Sequence, residues 1–192
     1  MSAEIIQILI ATYPDTPTAK AKLQAVQQAR ANQGMEVIDA AVVRRDAHNR
    51  LRIHETEDVT GARGATFGGI LGGVLGLIAG PGGIVVGAAV GALVGGATAH
   101  AFDTGIPHKR LAEIGSALTP AQTALVVLTD RSSAAFLRNI MSEPGVEVLT
   151  ETMNAEAARQ MGHAHDVAIR ALTLGEALAE GGMASPTDEK PI

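Results

Sequence analysis

At 192 residues the chain has room for one domain with a large insertion, and no cysteine is present, which excludes disulfides, thiolate metal sites and cysteine nucleophiles. A net charge of −5 and an aromatic content of 2% offer neither the basic surface nor the stacking platform that nucleic-acid binding uses. The core has to be assembled from Ile, Leu, Val and Ala.

The chain opens MSAEIIQILIATYP, with an acid where a secretory signal is basic and an apolar run cut off at Pro14, so it reads as a mature cytosolic start. Glu4 to Ala11 predicts a central strand buried on both faces, because its apolar residues do not alternate with polar ones. Thr16 is the expected N-cap of a helix with Pro17 at its first position. Ala19, Leu23 and Val26 share one side of that helix, and Gly34 is its stop signal. Val37 to Arg45 predicts a second strand. Leu51 to Glu57 alternates and predicts its hairpin partner, with Arg52 and His54 on a wet face.

From Gly64 to Phe102 there is no Asp, Glu, Lys or Arg. Glycine recurs every fourth residue at Gly64, Gly68, Gly72, Gly76 and Gly80, and again at Gly83, Gly87, Gly91 and Gly95. Gly80-Pro81-Gly82 between the runs is a turn signal. The pattern predicts a helical hairpin, each arm carrying a groove without side chains into which another backbone can pack. In water such a helix is poor, since each interior glycine costs roughly 1 kcal/mol relative to alanine. Either a bilayer or tight protein packing has to offset that. The arms, Gly64 to Ala79 and Gly83 to Phe102, reach roughly 24 and 30 Å at about 1.5 Å per residue. Against a hydrocarbon core of about 30 Å, only the second arm is long enough to span unaided. Arg44, Arg45 and Arg63 before the hairpin, and Lys109 and Arg110 after it, are the candidate membrane-surface flanks, placing both ends on the cytoplasmic side.

Beyond the hairpin, Ile106 to Leu118 predicts a short amphipathic helix and Thr123 to Leu128 a buried strand. Ser132 or Ser133 is the expected cap of a helix to about Ser142, with Phe136, Leu137 and Ile140 inside. Val146 to Thr152 predicts the last strand. Asn154 is the expected cap of a long helix over 155–180, ended by Gly181-Gly182 and followed by a disordered tail. The entry Gly34-Met35-Glu36-Val37 is echoed by Gly145-Val146-Glu147-Val148 at the same place in a second strand-helix-strand unit. Two such units side by side predict an α+β fold, a ferredoxin-like sheet with helices on one face. The boundaries that follow are a discontinuous domain over 1–63 and 104–153, the hairpin at 64–103, the C-terminal helix at 154–181 and the tail at 182–192.

This order of elements resembles a bacterial family of predicted membrane proteins of unknown function with a glycine-zipper hairpin. The similar segments are Asp39-Ala40-Ala41-Val42-Val43, the Gly/Ala-rich hairpin, Asp103-Thr104-Gly105-Ile106 and the strand entry from Ser116 to Leu128. The resemblance covers Ile5 to Met153. It implies an architecture and a membrane-associated or stress-linked role, and it carries no chemistry.

Chemical constellations are sparse. His163 and His165 lie two apart on a helix, about 200° around, so they do not converge on a metal. His48 and His54 read as exposed polar residues, and His100 as a helix-end residue. No Gly-rich loop with a following Lys marks a nucleotide site, and no serine sits in a nucleophile elbow. Asp130-Arg131 after a buried strand reads as a helix cap or a ligand-facing loop. The expectation is a non-catalytic homo-oligomer without metal or cofactor, at the cytoplasmic membrane, assembling through its glycine stripes. The alternatives are a soluble self-assembling structural protein and a small-molecule sensor using an open sheet face.

Overall fold

A computed structural model describes residues 5–48, 50–56, 62–79, 85–86, 106–118, 122–161 and 163. Strand β1 (Ile6–Tyr13) leads into helix α1 (Thr16–Gln33) and strand β2 (Val37–Arg45). Strand β3 (Leu51–Thr56), helix α2 (Ala62–Ala79) and the two-residue strand β4 (Val85–Val86) follow. Helix α3 (His108–Ala117), strand β5 (Thr123–Asp130), helix α4 (Arg131–Met141) and strand β6 (Val148–Met153) complete the sheet and its layers. A further helix begins at 155 and is described to 161.

The strand order is β4-β3-β2-β5-β1-β6. The five longer strands are antiparallel throughout, and β4 adds a short parallel pair to β3 at Leu51 and Arg52. The two strand-helix-strand units therefore interleave. Leu9 in β1 lies opposite Val127 of β5 on one side and Thr150 of β6 on the other.

Both faces of this sheet are covered. On one, Leu9, Ala11 and Tyr13 of β1 and Leu125 and Val127 of β5 pack under Leu23 and Val26 of α1 and Leu137 and Met141 of α4. On the other, Ile8 and Ile10, Val43, Val126 and Leu128 pack under Leu71, Val74, Leu75 and Ile78 of α2, with Ile114 of α3 and Met161. The expected one-sided layering is thus corrected. Alternate residues of a strand point to opposite faces, and β1, β2 and β5 are apolar on both, so each face needs a cover. The open face that a sensor would use is occupied by α2 and α3.

Several sequence expectations shift in detail. The cap of α1 is Asp15, whose carboxylate accepts from the Thr18 N–H at 2.7 Å, in place of Thr16. Gly34 does end α1, at φ 65°, where a side chain would be strained. The cap of α4 is Asp130, accepting from the Ser132 and Ser133 N–H groups at 3.1 and 2.9 Å. Burial opposes its ionisation, but the bonds from Ser132 and Ser133 outweigh that and draw its pKa down to about 2. Ser133 turns inward, and its hydroxyl accepts from the Glu36 N–H at 2.9 Å. Phe136 is 41% exposed, because Ser133, Leu137 and Met141 define the inward line of α4 and Phe136 stands off it.

Val85 and Val86 are a strand where a second helical arm was expected from Gly83; two β-branched residues beside the β3 edge pair with it. The rest of that arm, the turn at Gly80, Pro81 and Gly82, and the C-terminal helix and tail beyond 163 lie outside the described residues.

The end of α4 shows how buried carbonyls are satisfied in this fold. The Tyr13 hydroxyl donates to the Met141 carbonyl at 2.6 Å, and burial, with Glu143 nearby, raises the phenol above its ordinary pKa. The Lys22 ammonium donates to the carbonyls of Ile140 and Ser142 at 3.0 and 3.2 Å, a cation set on the negative end of the helix dipole.

Candidate functional site: the glycine stripe and its seat

Helix α2 carries six glycines, from Gly64 to Gly76, and holds together because of what its other residues bury. Ile70, Leu71, Val74, Leu75 and Ile78 are all at most 5% exposed. Each contributes about 1.5–3 kcal/mol by burial, more than the roughly 1 kcal/mol each glycine costs. Packing on the protein's own sheet therefore supplies the compensation that the sequence demands.

The large side chains and the later glycines of α2 are only partly segregated. At about 100° per residue, Gly72 stands roughly 160° around the helix from Ile70 and Val74 but only about 60° from Leu75. The bulky side meets the sheet. Gly72, Gly73 and Gly76 are themselves buried. At Gly73 the reason is visible: a Cβ there would lie 2.7 Å from the Met161 sulfur, so the side chain from the last described helix fills the notch. Gly64 and Gly68 belong to the same helix. Gly83, Gly87, Gly91 and Gly95 lie outside the described residues.

A closer approach joins α2 to α3. A Cβ on Gly115 would come 2.4 Å from the Ile78 carbonyl oxygen, which is backbone and cannot swing aside. Gly115→Ala is therefore expected to lower the unfolding free energy by about 1–3 kcal/mol through overpacking. Urea denaturation reads this directly, and a midpoint equal to wild type would contradict the packing described.

The same junction explains Arg45. It is 5% exposed, and its guanidinium donates to the carbonyls of Gly115 at 3.1 Å and Ile78 at 3.5 Å. Both carbonyls belong to the last turns of their helices, where no N–H further along is available. One arginine thus closes two helix ends, and burial lowers its pKa from the ordinary guanidinium value. The expectation that Arg45 flanks a membrane surface is corrected. In a strand, consecutive side chains take opposite faces, so Arg44 is exposed while Arg45 points into the layer beneath α2 and α3.

The remaining flank residues divide. Arg44 lies opposite Arg52 in the β2–β3 pair. Lys109 is 89% exposed, 4.0 Å from Glu113. Arg110 is tied down, with its Nε 2.6 Å from Glu151 of β6 and a second nitrogen 3.4 Å from Glu113. Arg63 sits in the first turn of α2, and its side chain lies outside what is described.

Among the described residues no group of three His, Asp or Glu is placed to hold a metal ion. His48, His54 and His163 are exposed, and His100 and His165 are not described. The Asp46 carboxylate is spent on the β2–β3 turn, accepting from the His48 and Arg50 N–H groups and from the side chains of Arg50 and Arg52. Those bonds hold it below the usual carboxylate range. Asp130 is spent on its cap. Among the described residues no helix is long and apolar enough to cross a membrane.

The model of a family described as "Protein of unknown function (DUF1269)" matches residues 65–166, more than half of the chain. The chain belongs to this family. The DUF1269 match runs from within α2 through β6 into the following helix, so it takes in the glycine stripe from Gly68 on, Gly115 and Arg110 but not Gly64 or Arg45. No curated protein and no solved structure matches the chain.

The sequence pointed to the glycines and missed their anchor. A signal for Arg45 was present in the Arg44-Arg45 pair, since adjacent strand residues cannot both face water in a sheet covered on both sides.

Proposed function

We propose that the protein is a non-catalytic, self-associating protein whose glycine-rich helices are its packing surface, carried on a ferredoxin-like sheet. The sequence supports this above all: glycine recurs every fourth residue at Gly64, Gly68, Gly72 and Gly76 and again at Gly83, Gly87, Gly91 and Gly95, in a stretch without Asp, Glu, Lys or Arg. A bare backbone stripe gives little hydrophobic energy by itself, but it admits another helix at close range. The interleaving of the two strand-helix-strand units supports the ferredoxin-like reading of the sheet.

A second reading places this assembly at the cytoplasmic membrane. It is favoured by the stretch from Gly64 to Phe102, which carries no Asp, Glu, Lys or Arg. Fractionation of cells followed by a carbonate wash separates the two. Protein retained in the washed pellet supports the membrane reading, and a monodisperse assembly in detergent-free buffer supports the first. Gly87→Leu with Gly91→Leu is expected to reduce the assembly's mass by light scattering while the far-UV spectrum of the sheet persists. An unchanged mass would refute assembly through the stripe.

A further inference from the structure

The helix that follows β6 sits on α2. It turns Ala157, Ala158 and Met161 inward, each at most 3% exposed, and leaves Glu156, Arg159 and Gln160 exposed. Ala158 and Met161 join the cluster that holds α2 on the sheet. Met161 meets α2 where no side chain stands. A Cβ on Gly73 would lie 2.7 Å from its sulfur, 3.1 Å from its Cγ and 3.5 Å from its Cβ. An unbranched thioether suits such an irregular gap. Gly72, Gly73 and Gly76 are all buried, and at Gly73 the cover is this helix. The cover is lightly held. Among the described residues it commits one large apolar side chain, Met161, where α2 commits five, Ile70, Leu71, Val74, Leu75 and Ile78. Elements with few buried apolar contacts open at the lowest free energy. Asn154 alone separates the helix from β6. It caps the helix, accepting from the Glu156 N–H at 2.8 Å through its side chain and from the Ala158 N–H at 3.1 Å through its carbonyl. Rotation at this one residue lifts the helix with its first turn intact.

We propose that this helix is a strap over the glycine stripe. Seated, it holds Met161 in the notch at Gly73; lifted, it bares the notch to the glycine-rich helix of another copy. This rests on the reading that the protein self-associates, and it adds the control on that association. The two occupants exclude each other, because a close-packed notch filled by the Met161 side chain has no room for a second backbone. A copy of the chain is the occupant that fits. Each copy offers the same bare backbone for close approach. From Gly64 to Phe102 the chain also carries no charge that such a contact would have to desolvate.

The absence of native cysteine allows the strap to be locked. The 3.5 Å from a Cβ on Gly73 to that of Met161 lies at the near end of the disulfide range of about 3.5–4.5 Å. Full-length Gly73→Cys with Met161→Cys, treated with diamide in dilute solution, is expected to close a disulfide within one chain. Reduced, the same protein has lost the methionine that holds the strap down. Its mass by light scattering is then expected to stand at least about twofold above that of the oxidised form at equal concentration, the step from one chain to two. A second measurement needs no variant: amide exchange over 155–161 of the wild-type protein is expected to be at least about a hundredfold less protected than in β1 and β5. A disulfide that fails to form, or forms only between chains, would overturn the seat. Exchange as slow as the sheet's, or equal masses in the two redox forms, would overturn the strap. Equal masses of assembled protein would leave self-association standing without it, whereas a single-chain mass in both forms and in the wild type would remove the self-association reading as well.

Discussion

Replacing Arg45 by alanine is expected to lower the unfolding free energy by about 3 kcal/mol, while replacing its neighbour Arg44 by alanine changes it by less than about 0.5 kcal/mol. The contrast follows from one residue of displacement along β2. Arg44 is exposed, and its loss leaves no buried group without a donor. Arg45 donates to the last-turn carbonyls of α2 and α3 from a position only 5% exposed. Hydrogen bonds from a charged donor contribute about 1.5–3 kcal/mol, and a buried carbonyl stripped of its donor keeps its desolvation cost. The apolar stem of the side chain packs as well, so part of the loss is packing. Arg45→Lys is expected to recover only part of the loss, since a single ammonium does not reproduce the guanidinium fork. Equal urea midpoints for the two alanine variants would show that Arg45 does not hold the helix ends.

Much of the sheet was legible because its signals are local. The run of isoleucines in β1, the Ala19, Leu23 and Val26 line of α1, Gly34 and the echoed entry to β6 each depend on a few neighbouring residues. What the sequence hid is tertiary. Asp15 displaced Thr16 as the cap of α1, its carboxylate accepting from the Thr18 N–H, while Asp130, which the sequence offered as a helix cap or a ligand-facing loop, caps α4 with two N–H bonds. Phe136 was expected inside on hydrophobicity alone, yet the line set by Leu137 and Met141 leaves it outside. Val85 and Val86 sit within a long Gly/Ala stretch whose four-residue rhythm argues for helix, and only the proximity of β3 makes them a strand. Covering of the second face by α2 was foreshadowed. Ile6, Ile8 and Ile10 alternate with Leu9, Ala11 and Tyr13, so β1 is apolar on both sides and one layer of helices cannot bury it.

A glycine-rich helix that looks fit for lipid is here a layer of the protein's own core, with its large side chains on the sheet and Gly72, Gly73 and Gly76 buried as well. Leu75 carries that claim. It is fully buried in the cluster that joins α2 to β1, β2 and β5. Truncating a leucine in such a site costs about 2–5 kcal/mol, from lost transfer energy and the cavity left behind. A helix seated in lipid, or standing apart from the sheet, would pass none of that cost to the sheet. The decisive measurement is urea unfolding of Leu75→Ala in detergent-free buffer, followed through the sheet's circular dichroism. A drop of about 2–5 kcal/mol in the sheet's unfolding free energy is expected; a transition superimposable on wild type would contradict the seating of α2 on the sheet.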